Sequence, residues 1–255
     1  MKLKLYKICF SPTGGTKKVA DVMASAWDCE KEEIDIFHLQ EPFDRSFQKE
    51  DVCLVLVPSY GGRVPGPAVE RIRMFEGNGA KAILVAVYGN REFEDTLIEL
   101  KDTLRESGFR CCAAVSAVAQ HSIFPQFGEG RPDERDKKEL LSFAEAIKEY
   151  LEHGKLVPVR VPGNRPYRKY DGVPLKPVAT KECTRCGLCA RQCPVHAISI
   201  HSIHKIDKKK CISCMHCVEI CPTHARKTSS FLRAVAGAKM KKECSKRKEN
   251  QLYIG

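Results

Sequence analysis

At 255 residues, with 43% hydrophobic and 29% charged side chains, the chain has the composition of a folded protein holding one large and one small unit, which excludes a disordered or fibrous chain. Residues 1–150 carry 21 Lys+Arg against 25 Asp+Glu, a net of −4, whereas residues 151–255 carry 22 against 7, a net of +15. No zinc-finger, helix-turn-helix or RNA-recognition pattern accompanies the basic half, so no nucleic-acid partner is expected, and no apolar run approaches the ~18 residues of a membrane span.

Residues 3–9 predict a strand ending in Ile8-Cys9-Phe10, followed by the loop Ser11-Pro12-Thr13-Gly14-Gly15-Thr16. Val19, Val22, Met23 and Ala26 recur at helical spacing after it. Residues 33–37 alternate as a half-exposed edge strand does, while 38–50 is too short and polar to read as a helix. The unbroken apolar runs 52–57 and 82–88, and the similar run 111–119 with its small residues, predict buried parallel strands. Between them Pro67 starts a helix carrying Val69 and Ile72, and Phe93, Leu97, Leu100 and Leu104 share one face over 92–106. A last helix over 133–152 places Leu140, Phe143, Ala144, Ile147 and Leu151 together, with Asp133, Glu134 and Asp136 at the end where acids suit the dipole. Five strands alternating with helices predict a doubly wound parallel sheet of order 2-1-3-4-5. Such sheets bind ligands beyond the strands' carboxyl ends, between strands one and three.

Residues 154–180, with five prolines, predict a semi-extended linker. Two runs follow, Cys183-x2-Cys186-x2-Cys189-x3-Cys193-Pro194 and Cys211-x2-Cys214-x2-Cys217-x3-Cys221-Pro222. They are an internal repeat at an offset of 28 residues, which His196/His224 and Ala197/Ala225 also obey. After it a short helix is expected from Ser229–Ser230 through Val235, with a basic, solvated end over 239–248. The predicted organisation is therefore 1–153, 154–180, 181–228 and 229–255.

A cubane iron–sulfur cluster needs four thiolates around one small volume, and two-residue gaps let consecutive cysteines curl around it. Structural zinc uses two Cys pairs per ion and suits three evenly spaced cysteines poorly; a disulfide framework requires secretion. The start, alternating lysine with apolar residues, is unlike a secretory signal, and fourteen cysteines then point to a reducing, cytoplasmic compartment. Of the six outside the runs, Cys9, Cys53, Cys111 and Cys112 fall on predicted strands and read as buried free thiols, leaving Cys29 and Cys244. The segment resembles the bacterial-type two-cluster 4Fe-4S ferredoxins. That resemblance implies that the fourth cysteine of each run serves the other cluster: Cys183, Cys186, Cys189 and Cys221 for one, Cys211, Cys214, Cys217 and Cys193 for the other. Met215 stands where the first run has Gly187, which is expected to crowd the second loop without removing a ligand. His196 and His224 read as neighbours or surface groups, because each cluster already has four thiolates.

The loop after the first strand offers glycine backbone and alternating hydroxyls at a helix start, which suits a phosphate. It matches neither the nucleotide-triphosphate loop Gly-x4-Gly-Lys-Ser/Thr nor the dinucleotide Gly-x-Gly-x-x-Gly; the plain alternative is a capped helix without a ligand. The loops Ser59-Tyr60-Gly61-Gly62 and Tyr88-Gly89-Asn90 emerge beside it, each with an aromatic and a glycine that suit a flat ring. Residues 3–152 resemble flavodoxins, whose phosphate loop is Ser/Thr-x-Thr-Gly-x-Thr. The resemblance implies bound FMN, with Ser11, Thr13, Gly14, Gly15 and Thr16 on the phosphate. Ser59, Tyr60, Gly61, Gly62, Tyr88, Gly89 and Asn90 would then lie near the ring, with either Tyr60 or Tyr88 stacking. The only tryptophan, Trp27, lies on the first helix and not in the first ring loop, and Arg63 and Arg91 stand where acidic residues are common. His121, alone after the fifth strand, reads first as an ordinary loop histidine, and Arg131-Pro132-Asp133 as a helix start.

The whole chain thus resembles a fusion of a flavodoxin-like region with a small α+β two-cluster ferredoxin. The implied function is one-electron traffic between FMN and two 4Fe-4S clusters, to or from a redox partner for which the basic half suggests an acidic surface. No acid/base pair or nucleophile triad stands out, so an electron carrier is favoured over an enzyme. Two other readings stay open: an FMN-dependent reductase using His121, Arg63 or Arg91, and a redox sensor or scaffold with an empty flavodoxin-like region.

Overall fold

The computed structural model describes residues 3–38, 43–153 and 155–255. Residues 39–42, within the polar stretch 38–50, lie outside the described residues, as do 1–2 and 154. Strands β1 (Lys4–Cys9), β2 (Glu30–Asp35), β3 (Val52–Pro58), β4 (Lys81–Tyr88) and β5 (Arg110–Val118) pair in parallel in the order 2-1-3-4-5. This is the doubly wound, flavodoxin-like sheet expected from the alternation of apolar runs with helices. Helices α1 (Gly15–Ala24) and α4 (Glu134–His153) cover one face, meeting Val52, Leu54 and Leu56. On the other, α2 (Gly66–Ile72) and α3 (Thr96–Glu106) meet Cys53, Val55 and Val57. Both faces of β3 are covered, so its sequence does not alternate. Cys9, Cys53, Cys111 and Cys112 are buried within the sheet as expected.

The edge strand β2 begins three residues before its apolar alternation does. Lys4 pairs with Glu30 and Glu32 at 2.9 Å each, and Lys7 with Glu33 at 3.1 Å. Cross-strand charge complementarity thus recruits a polar segment into the sheet. Helix α3 begins later than its apolar face suggests, because Asn90 and Glu94 adopt left-handed backbone. Asp95, at its start, accepts the linker N–H groups of Asn164 at 2.8 Å and Arg168 at 2.7 Å.

The proline-rich stretch is extended and pinned along α3. Arg165 and the Tyr167 hydroxyl both bond Asp102, at 2.5 and 2.6 Å, and Arg63 donates to the Arg168 carbonyl at 2.8 Å. The cysteine repeat follows, bracketed by the antiparallel pair β6 (Val178–Ala179) and β7 (Arg226–Lys227). Each half contains one short helix, α5 (Leu188–Arg191) or α6 (His216–Glu219). The offset of 28 holds in the backbone as well. Positive φ recurs at Arg185/Ser213, Gly187/Met215 and His196/His224.

Beyond the repeat the chain returns to the sheet. Helix α7 (Ser230–Cys244) is longer than the short helix expected, and β8 (Gln251–Ile254) adds antiparallel to β5 as a sixth strand. The basic end expected over 239–248 therefore falls partly on α7 and is solvated only in part: Lys241 and Lys242 are exposed, while Cys244 is buried. Among the described residues no helix is long and apolar enough to cross a membrane.

Candidate cofactor sites

The eight repeat cysteines divide between two small cavities. One is walled by Cys183, Cys186, Cys189 and Cys221. The other is walled by Cys193, Cys211, Cys214 and Cys217. Each therefore takes three cysteines from one run and the fourth from the other. Left-handed backbone at Arg185, Gly187, Ser213 and Met215 curls the two loops. The turn after each Cys-Pro is alike: Ala197 N–H donates to Cys193 Sγ at 3.3 Å, and Ala225 N–H to Cys221 Sγ at 3.3 Å. Burial pushes the Cys221 thiol up, but the N–H donors and the Thr223 hydroxyl outweigh it and hold the group below the ordinary thiol range. Four sulfurs around one volume, with N–H groups directed at sulfur, fit a four-iron cluster in each cavity.

A third cavity, of about 360 Å³, opens at the carboxyl ends of β1, β3, β4 and β5. Of the residues expected around a flavin, Gly15, Thr16, Ser59, Tyr60, Gly61, Tyr88 and Gly89 line it. Ser11, Thr13 and Gly14 form the adjoining β1–α1 loop. There Gly14 takes φ 80° with open space beside it, and Ser11 Oγ accepts the Lys17 N–H at 2.9 Å. Tyr60 and Arg63 exchange backbone bonds of 2.9 and 3.2 Å across Gly61-Gly62, both at positive φ, which is a tight two-residue turn. Gly62 packs beneath Glu94 and Arg168, outside the cavity wall. Asn90 is also outside it: its buried amide donates to the carbonyls of Cys244 at 2.7 Å and Lys246 at 2.9 Å. Arg63 forms a two-pronged pair with Glu99, both bonds 2.7 Å, and Arg91 pairs with Glu94 at 2.6 Å.

Sequence reasoning did not anticipate the cavity's roof. Tyr170 from the linker lies so close over Gly61 that a Cβ there would stand 2.2 Å from its ring. Val173 and Leu175 of the linker pack with Phe124 of the β5–α4 loop and with Ala236 and Met240 of α7. Two tyrosines within a proline-rich stretch were the available signal; nothing in the sequence marked α7. Burial pushes the phenols of Tyr60, Tyr88 and Tyr170 up, so each presents O–H at neutral pH. The enclosure, its aromatic walls and the hydroxyl-bearing loop at a helix start fit a flavin nucleotide.

The third cavity and one thiol-walled cavity share a wall. Ile212 and Ser213, between Cys211 and Cys214, line both. Ser213 Oγ is buried there without a hydrogen-bond partner among the described residues. The linker holds the same loop, since Lys176 donates to the Cys211 carbonyl at 2.6 Å.

Residues 182–225 match the family model described as a 4Fe-4S dicluster domain. A ferredoxin of Butyribacterium methylotrophicum is 62% identical over 29 residues, which are 11% of this chain and 53% of that protein, so the match spans about half of the relative's length. Among solved structures, a flavodoxin from the domain Archaea aligns with 59% of this chain and 99% of its own at 14% identity and a TM-score of 0.40. Flavodoxin 2 from Bacillus cereus aligns with 58% of this chain and 99% of its own at 17% identity and a TM-score of 0.42. Superposition that loose carries no weight by itself, and the sheet order 2-1-3-4-5 carries the fold assignment. The chain is a fusion of a flavodoxin-like region with a 4Fe-4S dicluster domain.

Proposed function

We propose that the protein is an electron-transfer flavo-iron–sulfur protein, with FMN in the 360 Å³ cavity and two 4Fe-4S clusters in the thiol-walled ones. Residues 1–153 would form the flavin-binding domain, 154–180 its linker, and 181–228 the cluster domain. The observation that carries the reading is the loop Ile212-Ser213, which belongs to the walls of both the flavin cavity and one cluster cavity. Flavin exchanges one or two electrons and a four-iron cluster one, so their adjacency suits stepwise transfer. Ser11, Thr13, Gly14, Gly15 and Thr16 would hold the phosphate. Tyr60, Tyr88, Ser59, Gly61 and Gly89 would enclose the ring, with Tyr170 added from the linker, while Gly62 and Asn90 support these loops from behind. The order of stations would be flavin, the cluster of Cys193, Cys211, Cys214 and Cys217, then the cluster of Cys183, Cys186, Cys189 and Cys221. Cys186 is exposed, which makes the outer cluster the one that a redox partner reaches, and the basic charge of residues 151–255 suits an acidic partner surface.

Gentle anaerobic purification should yield about one equivalent of acid-released FMN and about eight irons per chain. Failure to bind flavin, even after reconstitution, sinks the reading. Turnover of small acceptors without a protein partner would favour the reductase alternative. The ligand exchange has its own test: Cys221→Ala should disturb the same paramagnetic signal as Cys183→Ala, and pairing with Cys211→Ala instead would overturn the assignment.

A further inference from the structure

At one buried position the internal repeat exchanges an apolar side chain for a cationic one. Ile198 follows Cys193 by five residues, and its mate 28 residues later is Arg226. Ile198 packs with Cys189, Ala190 and Ile203 and lines the cavity of Cys193, Cys211, Cys214 and Cys217. Arg226 lines the corresponding wall of the other cavity, that of Cys183, Cys186, Cys189 and Cys221. The same wall position is thus apolar beside one set of thiols and cationic beside the other.

Arg226 is only 2% exposed. Its Nη1 donates to the Pro177 carbonyl at 3.2 Å and its Nη2 to the Ile203 carbonyl. Both partners are neutral, and Nε is buried without an acceptor among the described residues. A guanidinium stays charged at any working pH, and burying it without an anion costs several kcal/mol. Four thiolates with their cluster are an anion, in the cavity this side chain lines.

We propose that Arg226 is the built-in counter-charge of the cluster held by Cys183, Cys186, Cys189 and Cys221, and that it raises this cluster's reduction potential above that of its twin. The inference rests on the two-cluster reading above. Reduction adds a negative charge, so a fixed cation nearby favours the reduced form. An electron then settles on the outer cluster, beside exposed Cys186, rather than on the inner one beside the flavin cavity. Arg226 lines the outer cavity and not the inner one, so its charge acts first on the outer cluster.

The test is potentiometry of the anaerobic holoprotein followed by paramagnetic resonance, with the outer cluster identified as the signal that Cys183→Ala disturbs. In the unsubstituted protein the two clusters should titrate separately, the outer one higher. Arg226→Gln should lower the outer potential more than the inner, and Arg226→Lys should retain most of it. Both substitutions remove the fork that bonds Pro177 and Ile203, so a purely structural role would move them alike. Equal potentials in the unsubstituted protein, or a Gln variant indistinguishable from the Lys variant, overturns the proposal. Iron below two clusters in the unsubstituted protein instead defeats the cluster reading, which is a different result from an unmoved potential in loaded protein.

Discussion

His216 Nδ1 lies 2.6 Å from the carbonyl oxygen of Pro12, a bond that joins the start of α6, which carries Cys217, to the loop between Ser11 and Thr13. The other ring nitrogen meets the Gln192 side-chain amide at 2.9 Å, and the ring stands edge-on to Phe37 at 4.6 Å. Burial lowers the basicity of His216, so the ring is neutral: its Nδ1–H donates to Pro12, and Nε2 accepts from the Gln192 amide, whose NH2 then faces the ring in place of Oε1. A cluster loop and the candidate phosphate loop are thereby one mechanical unit.

His216→Phe keeps the aromatic packing and removes both polar contacts. It should cost about 1–3 kcal/mol of stability. If FMN occupies the cavity beside Thr16, its affinity should fall about tenfold as the loop loosens, the equivalent of about 1.4 kcal/mol. Flavin fluorescence titration measures this, and iron content should stay unchanged. An unaltered affinity would mean that the phosphate loop holds its shape without the cluster segment.

Met215 replaces Gly187 at a buried position of the repeat where the backbone is left-handed. It adopts φ 63° where Gly187 adopts φ 79°, so a side chain occupies left-handed backbone. The strain, about 1–2 kcal/mol, is offset by burial of the methionine, which contributes about 1.5–3 kcal/mol. Met215→Gly should therefore destabilise the protein by roughly 1 kcal/mol even though it restores the repeat. Gly187→Ala should cost about as much for the opposite reason. Its Cβ would meet Ile200 Cδ1 at 2.4 Å and Arg191 Nη1 at 2.7 Å, both ends of side chains able to move. Denaturant unfolding of the two variants separates burial from backbone strain: a stabilised Met215→Gly would mean that strain dominates.

The cysteine segment was legible because its two runs are local in sequence and their spacing gathers three sulfurs each, while the exchanged fourth, Cys221 or Cys193, was implied only by the resemblance to two-cluster ferredoxins. The parallel sheet was legible because β3 and β4 are apolar on both faces. What escaped depends on partners distant in the chain. The polar start of β2 pairs only because Lys4 and Lys7 face Glu30, Glu32 and Glu33. Gly61 reads as a ring-loop glycine, yet it is also the seat of Tyr170, more than a hundred residues later. Asn90 reads as a ring contact because it follows Tyr88-Gly89, but its left-handed backbone turns the amide toward Cys244 and Lys246. Strand β8, with four residues and no long apolar run, carries no signal of its own.

His121 supplies a pH dependence with a defined sign. Its Nδ1 accepts the N–H of Ile123 at 3.1 Å and of Phe124 at 3.4 Å, and burial, with Arg91 nearby, pushes the imidazole down to about 4. The unfolded chain, with histidine near 6.5, then takes up the proton first. Stability is fully present above about pH 6.5 and is lost as pH falls toward 4, by at most about 3 kcal/mol. Buried His216 adds a loss of the same sign. Asp133, held below the ordinary carboxylate range by Arg247, acts in a more acidic window, where stability is lost as the carboxylate protonates. Urea unfolding between pH 7.5 and 4.5 should show His121→Asn with a shallower decline than the parent. Parallel curves would mean that the imidazole titrates alike in the folded and unfolded chains.

The return of the chain to the sheet depends on a buried ion pair. Arg131 bonds both oxygens of Asp136, at 2.8 and 2.5 Å, and donates to the Lys248 carbonyl at 2.7 Å. Asn250 donates to Asp136 at 3.1 Å and accepts the Val118 N–H at 2.8 Å, seating β8 against β5. Asp136→Asn leaves Arg131 buried without its anion and should cost about 3–5 kcal/mol. Asn250→Ala is milder, about 1–3 kcal/mol, and orphans the Val118 N–H. Hydrogen exchange should then quicken along 251–254 before it does in β3 or β4, because the antiparallel edge strand opens without breaking the parallel core. Since α7 brings Ala236 and Met240 to the roof of the 360 Å³ cavity, the same variant should release flavin faster if FMN occupies that cavity. An opened β8 with an unchanged flavin off-rate would separate the tail's role in the sheet from any role in the cavity.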